Sequence, residues 1–224
     1  MPARQISTAT AVAALLLLTA CGGSDDGDDP IAGVEESAEE SPSEDAEEPT
    51  GEETRPADDG RPEINLPEDV ELVFDWETPA DPDEATALSD AANYIRSIAL
   101  GVVEQDPDHP IYQGYSTGAA RDYARTQIGL WVDGGWTMHG TDRFYAPEIR
   151  RPESGDTIGV EFCHDESQML GKDAETGEAL PPTEYEGDEH LYHYTIVMAP
   201  APGVEGFWQA QGVEVEEEAA QCRE

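Results

Sequence analysis

The chain has 224 residues, of which 51 are Asp or Glu and 11 are Lys or Arg, giving a formal net charge of −40. A chain this acidic offers no basic stripe to displace phosphate counterions and no basic patch for anionic headgroups. That excludes nucleic acid as a partner and excludes an electrostatic hold on a membrane.

Arg4 precedes an apolar run from Ala9 to Leu18. The run is too short to cross a bilayer, which takes about 20 apolar residues, and has the length of a signal-peptide core. Leu18-Thr19-Ala20-Cys21 follows directly and resembles a lipobox: a small residue before the cut and a thiol after it. Residues 1–20 therefore read as a lipoprotein signal peptide, with Cys21 lipidated and the chain held by lipid on the outer face of the cell membrane. The other reading is an ordinary secretory signal with an incidental cysteine.

Residues 21–63 read as the lipidated cysteine and a linker. From Gly22 to Gly60 there are 16 carboxylates against one basic residue, Arg55, and almost no large apolar side chain. Such a segment buries too little apolar surface to offset chain ordering, and its like charges repel, so it is predicted to be disordered. It serves as a stalk. The sharper reading is a cation- or partner-binding tail, for Asp25-Asp26-Gly27-Asp28-Asp29 is locally dense in carboxylates but lacks EF-hand spacing.

Composition changes near Ile64, and residues 64–224 are long enough for one domain with a real core. Val70 to Phe74 reads as a short strand or an extended lead-in. Asp83 is the expected cap of a helix over 84–104, where Leu88, Ala91, Ala92, Ile95, Ile98, Ala99, Val102 and Val103 fall at three- and four-residue steps. Asp106-Pro107 and His109-Pro110 break it. A second helix is predicted over 117–132, ended by Asp133-Gly134-Gly135.

Beyond Gly135 the pattern alternates as in strands: 136–145, then 156–163 with Ile158, Val160 and Phe162 on one face, then 192–198, then 207–215. Residues 166–189 are polar and punctuated by Gly and Pro, so they read as a long loop. Strands spaced this way pair as antiparallel hairpins. The expected class is α+β, with N-terminal helices packed on one face of a curved antiparallel sheet.

The chain has three cysteines. With Cys21 lipidated, Cys163 and Cys222 remain, and outside the cytoplasm a leftover pair usually forms a disulfide. Closing a loop of about 60 residues is worth roughly 4 kcal/mol in chain entropy. The alternative is two unpaired buried thiols.

Phe162-Cys163-His164-Asp165-Glu166-Ser167, the turn Asp173-Ala174-Glu175-Thr176-Gly177, Gly134-Gly135-Trp136 and the last strand followed by Cys222 resemble a group of actinobacterial secreted proteins and lipoproteins of unknown function. The resemblance runs from Leu66 to Cys222, with Met169 and Leu170 where an aromatic is usual. It implies the nuclear-transport-factor-2-like superfamily: a curved sheet wrapped round helices into a cone with a pocket. That fold hosts isomerases and cyclases as well as binding and accessory domains, so fold alone does not choose a function.

Catalysis by an isomerase-like route needs a carboxylate base in an apolar pocket with an acidic donor opposite. Asp75, Asp122, Tyr94 and Tyr123 are the residues of the right type, and none sits in a catalytic pattern, so no catalytic residue is assigned. The five histidines are scattered, and His190 and His193 fall on opposite faces of an expected strand, so no metal site is assigned either. No phosphate loop, dinucleotide fingerprint or Gly-x-Ser-x-Gly occurs, so no cofactor is expected. The aromatics Trp76, Trp131, Trp136, Phe207 and Trp208 could line a ligand pocket, but read mostly as core. Tyr94, Tyr123, Trp131 and Trp136 are the candidates for lining a pocket. The expected function is a binding or accessory domain at the cell envelope, with an envelope protein or a small apolar molecule as partner. A small-molecule isomerase or cyclase is the rival reading.

Overall fold

A computed structural model describes residues 61–153 and 156–224 of the chain. The signal segment, Cys21 and the acidic linker up to residue 60 lie outside the described residues. In chain order the elements are β1 (Val70–Asp75), α1 (Pro82–Val103), α2 (Pro110–Tyr115), α3 (Gly118–Gly134), β2 (Trp136–Arg150), β3 (Ile158–Asp173), β4 (Leu191–Pro200) and β5 (Trp208–Glu217). A single 3-10 turn, Ala220–Cys222, follows. The class is α+β: one strand, then three helices, then the other four strands of the sheet.

The strands form one five-stranded sheet in the order β1-β2-β3-β4-β5. β2 to β5 are joined as antiparallel neighbours. β1 departs from the hairpin expectation and pairs with β2 in parallel, Leu72 opposite Asp142 and Phe74 opposite Phe144. The physical reason is the connection: three helices lie between β1 and β2, and a long helical crossover can return a strand in the same direction where a tight turn cannot.

Asp81, not Asp83, caps α1. Its carboxylate accepts from the backbone N–H of Asp83 and Glu84 at 3.0 and 3.1 Å, and Pro82 takes the first helical position, where its missing N–H costs nothing. The proline-rich break after α1 holds a helix of its own. Pro110 again starts it, with the His109 ring accepting from Ile111 N at 3.3 Å. α3 ends on Gly135 in the left-handed conformation, φ 70°, which glycine adopts without a steric penalty.

The predicted loop from residue 166 is also corrected. β3 runs on to Asp173, because β2 is long enough to pair with it back to Trp136. Ladder hydrogen bonds satisfy the backbone there whatever the polarity of the side chains. Register shifts interrupt β2 against β3 between Thr141 and Arg143 and between Tyr145 and Glu148. Bulges of this kind bend a strand and increase its twist. The bent sheet closes around α1, which touches β2, β3, β4 and β5.

The main core lies between α1, α3 and one face of the sheet and includes Ala87, Leu88, Tyr94, Ile128, Phe144, Phe162, Ile196 and Trp208. Trp76 and Phe207 pack against it, partly buried. A smaller cluster on the other side holds Tyr145, Cys163, Leu191, Ala219 and Cys222. Cys163 and Cys222 are joined there by a disulfide, which ties the C-terminal turn to the middle of the sheet. The Tyr145 hydroxyl donates to the Cys222 carbonyl across it.

Candidate functional site: a polar cleft between helices and sheet

Alternation decides which side chains face the helices. On β3 the inward face carries Phe162, His164 and Glu166; across the ladders His164 meets Phe144 of β2 and Tyr192 of β4, and Phe162 meets Tyr194. Three carboxyl- or imidazole-bearing residues, Asp142, His164 and Glu166, therefore point the same way as the core aromatics. The roof is α1 and α3, which contribute Ile95, Ile98, Ala99 and Val102, and Tyr123, Gln127 and Trp131. Together these enclose a cleft of about 130 Å³. An apolar cavity of about 150 Å³ is enough to hold benzene, so the space suits a ligand of that size.

His164 is 7% exposed and Asp142 9%. The imidazole stacks on Phe144 at 4.5 Å between ring centroids, and meets Tyr194 edge-on at 5.8 Å. Its Nε2 lies 3.1 Å from Asp142 Oδ1. The two are close but poorly aligned: neither atom makes a hydrogen bond of acceptable geometry, and His164 Nδ1 has no hydrogen-bond partner at all. A buried polar atom left unpaired costs about 1–3 kcal/mol.

Glu166 is held more firmly. Its Oε1 accepts from the Tyr192 hydroxyl at 2.9 Å and the Tyr185 hydroxyl at 3.1 Å. Burial pushes its carboxyl above the usual glutamate range, while the Tyr192 bond and the nearby His164 work the other way. Burial and the Glu166 charge together push the Tyr185 hydroxyl up to about 12. Across the cleft the Tyr123 and Tyr194 hydroxyls are 3.2 Å apart, and burial raises both.

Of the four aromatics expected to line a pocket, the fold brings Tyr123 and Trp131 to the cleft and leaves two elsewhere. Tyr94 is fully buried, its hydroxyl donating to the Ala120 carbonyl at 2.6 Å; it locks α1 to α3. Trp136 is 47% exposed and lines a separate, shallower depression of about 330 Å³ with Leu130, Leu180 and Pro181. Trp131 borders both spaces. Asp75 is ion-paired with Arg143 at 2.7 Å, and Asp122 is exposed on α3, so neither is a base in a dry pocket.

The motif residues that carry the family resemblance are mostly structural. Asp173 accepts from Thr176 N at 2.8 Å, Thr176 Oγ1 at 2.9 Å and Glu175 N at 3.1 Å, closing the turn after β3. Asp165 accepts from Ser167 N at 2.9 Å. The residues missed from sequence are Asp142, Glu166, Tyr192 and Tyr194; His164 stands out there only as a neighbour of Cys163, which the disulfide removes as a nucleophile. The signal that could have found the β3 pair is the continuation of the Phe162 alternation through His164 to Glu166. Among the described residues no group of three His, Cys, Asp or Glu side chains is placed to hold a metal ion.

No protein-family model matches the chain, and no curated protein matches it. Among solved structures it is similar to CagV, described as a VirB8 homolog of T4SS from Helicobacter pylori strain 26695. The identity is 8% and the TM-score 0.32, over 56% of this chain and 96% of that one.

Proposed function

We propose that this chain is a lipid-anchored, extracytoplasmic binding domain of the cell envelope, of the nuclear-transport-factor-2-like kind, whose cone cleft takes a small ligand. The observation that carries the binding role is the cleft itself: apolar walls, a few convergent polar groups, and buried atoms of Asp142 and His164 without hydrogen-bond partners. Binding sites are concave and mostly apolar with a small number of placed polar groups. The lipobox at Cys21 supports the anchor, and the Cys163–Cys222 disulfide supports an oxidising compartment. Among the described residues no helix is long and apolar enough to cross a membrane.

Cell fractionation tests the anchor. The full chain is expected with membranes and the Cys21→Ala chain in the soluble fraction; membrane retention of Cys21→Ala sinks that part of the reading. Thermal shift against a set of small cyclic compounds tests the cleft. Stabilisation is expected, and is expected to vanish when Ala99→Leu fills the space.

A second reading, an isomerase-like enzyme, is favoured by one observation: a buried carboxyl, Glu166, whose proton affinity burial raises, stands in an apolar cleft beside His164. Its test is exchange of the α-hydrogens of cyclopentanone in D₂O. Exchange above buffer that Glu166→Gln abolishes supports an enzyme, and exchange equal to buffer removes this reading.

A further inference from the structure

The cleft is unusual in the sign of its polar groups. Asp142 and Glu166 both line it, and its lining contains no Lys or Arg. The remaining polar groups are phenols, the Gln127 amide and His164. His164 Nε2 lies 3.1 Å from Asp142 Oδ1 without a hydrogen bond of acceptable geometry, and Nδ1 of the ring has no hydrogen-bond partner. Two carboxyl groups with no cationic Lys or Arg among the lining leave a place for a ligand that brings positive charge and N–H groups. The walls agree: Trp131 lines the cleft, and an indole face attracts a positive charge placed over it. A net charge of −40 on the whole chain adds a field that concentrates cations and repels anions.

We infer that the cleft selects a small organic ammonium ion, its N–H groups directed at Asp142 and His164 and its apolar body against Trp131 and the aliphatic side chains of α1. This rests on the cleft being a binding site, as proposed above. An inorganic cation fits less well, since the walls are aromatic and aliphatic and the acceptors are not gathered into a coordination shell. The raised proton affinity of Glu166 agrees, because a cation nearby would relieve the cost of its buried charge.

Three probes of one shape test the inference: cyclopentylamine, cyclopentanol and cyclopentanecarboxylate, titrated calorimetrically at pH 7 into the full chain purified in detergent. The amine is expected to bind at least ten-fold tighter than the alcohol, with the carboxylate weakest. Asp142→Asn is expected to reduce amine binding ten-fold or more and to narrow the preference for the amine over the alcohol. Glu166→Gln, which keeps its hydrogen-bond acceptor, gives the same test by a smaller loss should Asp142→Asn not fold. Equal binding of amine and alcohol, or preference for the carboxylate, overturns the ammonium inference and leaves the binding site standing. Absence of binding by all three overturns both.

Discussion

Arg61 grips Asp90 with two hydrogen bonds, Nε to Oδ1 at 2.7 Å and Nη2 to Oδ2 at 3.0 Å. Asp90 sits in the middle of α1 with no exposed surface, and its Oδ2 also accepts from Trp208 N of β5 at 2.9 Å. The last basic residue of the segment that reads as linker is therefore part of the domain, and it neutralises a carboxylate that binds α1 to the far edge of the sheet.

Arg61→Ala leaves that carboxylate buried without its cation. Breaking a buried pair from one side costs about 3–5 kcal/mol; because the Arg61 side chain is 18% exposed, a loss of about 2–3 kcal/mol is expected. Urea unfolding of the two chains checks this. A chain beginning at Ile64 is expected to lose as much, and a midpoint unchanged in both would mean the pair contributes nothing.

Glu166 gives stability a defined dependence on pH. Its carboxyl is raised in the folded protein, so the folded chain holds a proton that the unfolded chain has released. Stability from this group is therefore present at acid pH and is lost as pH rises through the folded value. Glu166→Gln removes the titration and keeps an acceptor for Tyr192 and Tyr185. The melting temperature of Glu166→Gln relative to the parent is expected to rise between pH 4 and pH 7. A constant difference across that range contradicts the assignment.

The Cys163–Cys222 disulfide closes a span of 59 residues, worth roughly 4 kcal/mol by loop entropy. Cys222→Ala is expected to lower stability by about that amount and to free the 3-10 turn, seen as fast amide exchange over residues 219–224. In the unreduced chain, denatured, neither cysteine is expected to react with a thiol reagent. Two reactive thiols there would show that the bond does not form.

Gly140 sits at φ 108° on β2, and a Cβ there would overlap the Gln168 carbonyl on β3. Gly140→Ala is expected to cost about 1–3 kcal/mol, the usual range for a residue held in a sparsely populated backbone region. The effect should be accompanied by disturbed NMR signals of Asp142, next to the bulge. Stability within a few tenths of the parent, about the range of a neutral surface change, would mean that the ladder relaxes freely at that point.

The sequence by itself determined most of the elements. The three- and four-residue spacing of Leu88, Ile95, Ile98 and Val102 defines α1, and alternation defines the start of β3 and all of β4, because these periods reflect local backbone geometry. It did not reveal that Asp142, His164 and Glu166 meet. Alternation places His164 and Glu166 on one face of β3, but their polarity reads as an outward face, and the Gly- and Pro-rich stretch that follows reads as a loop. The closing of the bent sheet over α1 turned that face inward. Bulges in β2 set how far the sheet bends and bring Asp142 against a residue 22 positions away on the next strand. Parallel pairing of β1 likewise depends on where three intervening helices pack. Short-range pattern fixes the period of a segment; only burial, which depends on residues far apart in the chain, fixes which of its faces becomes the site.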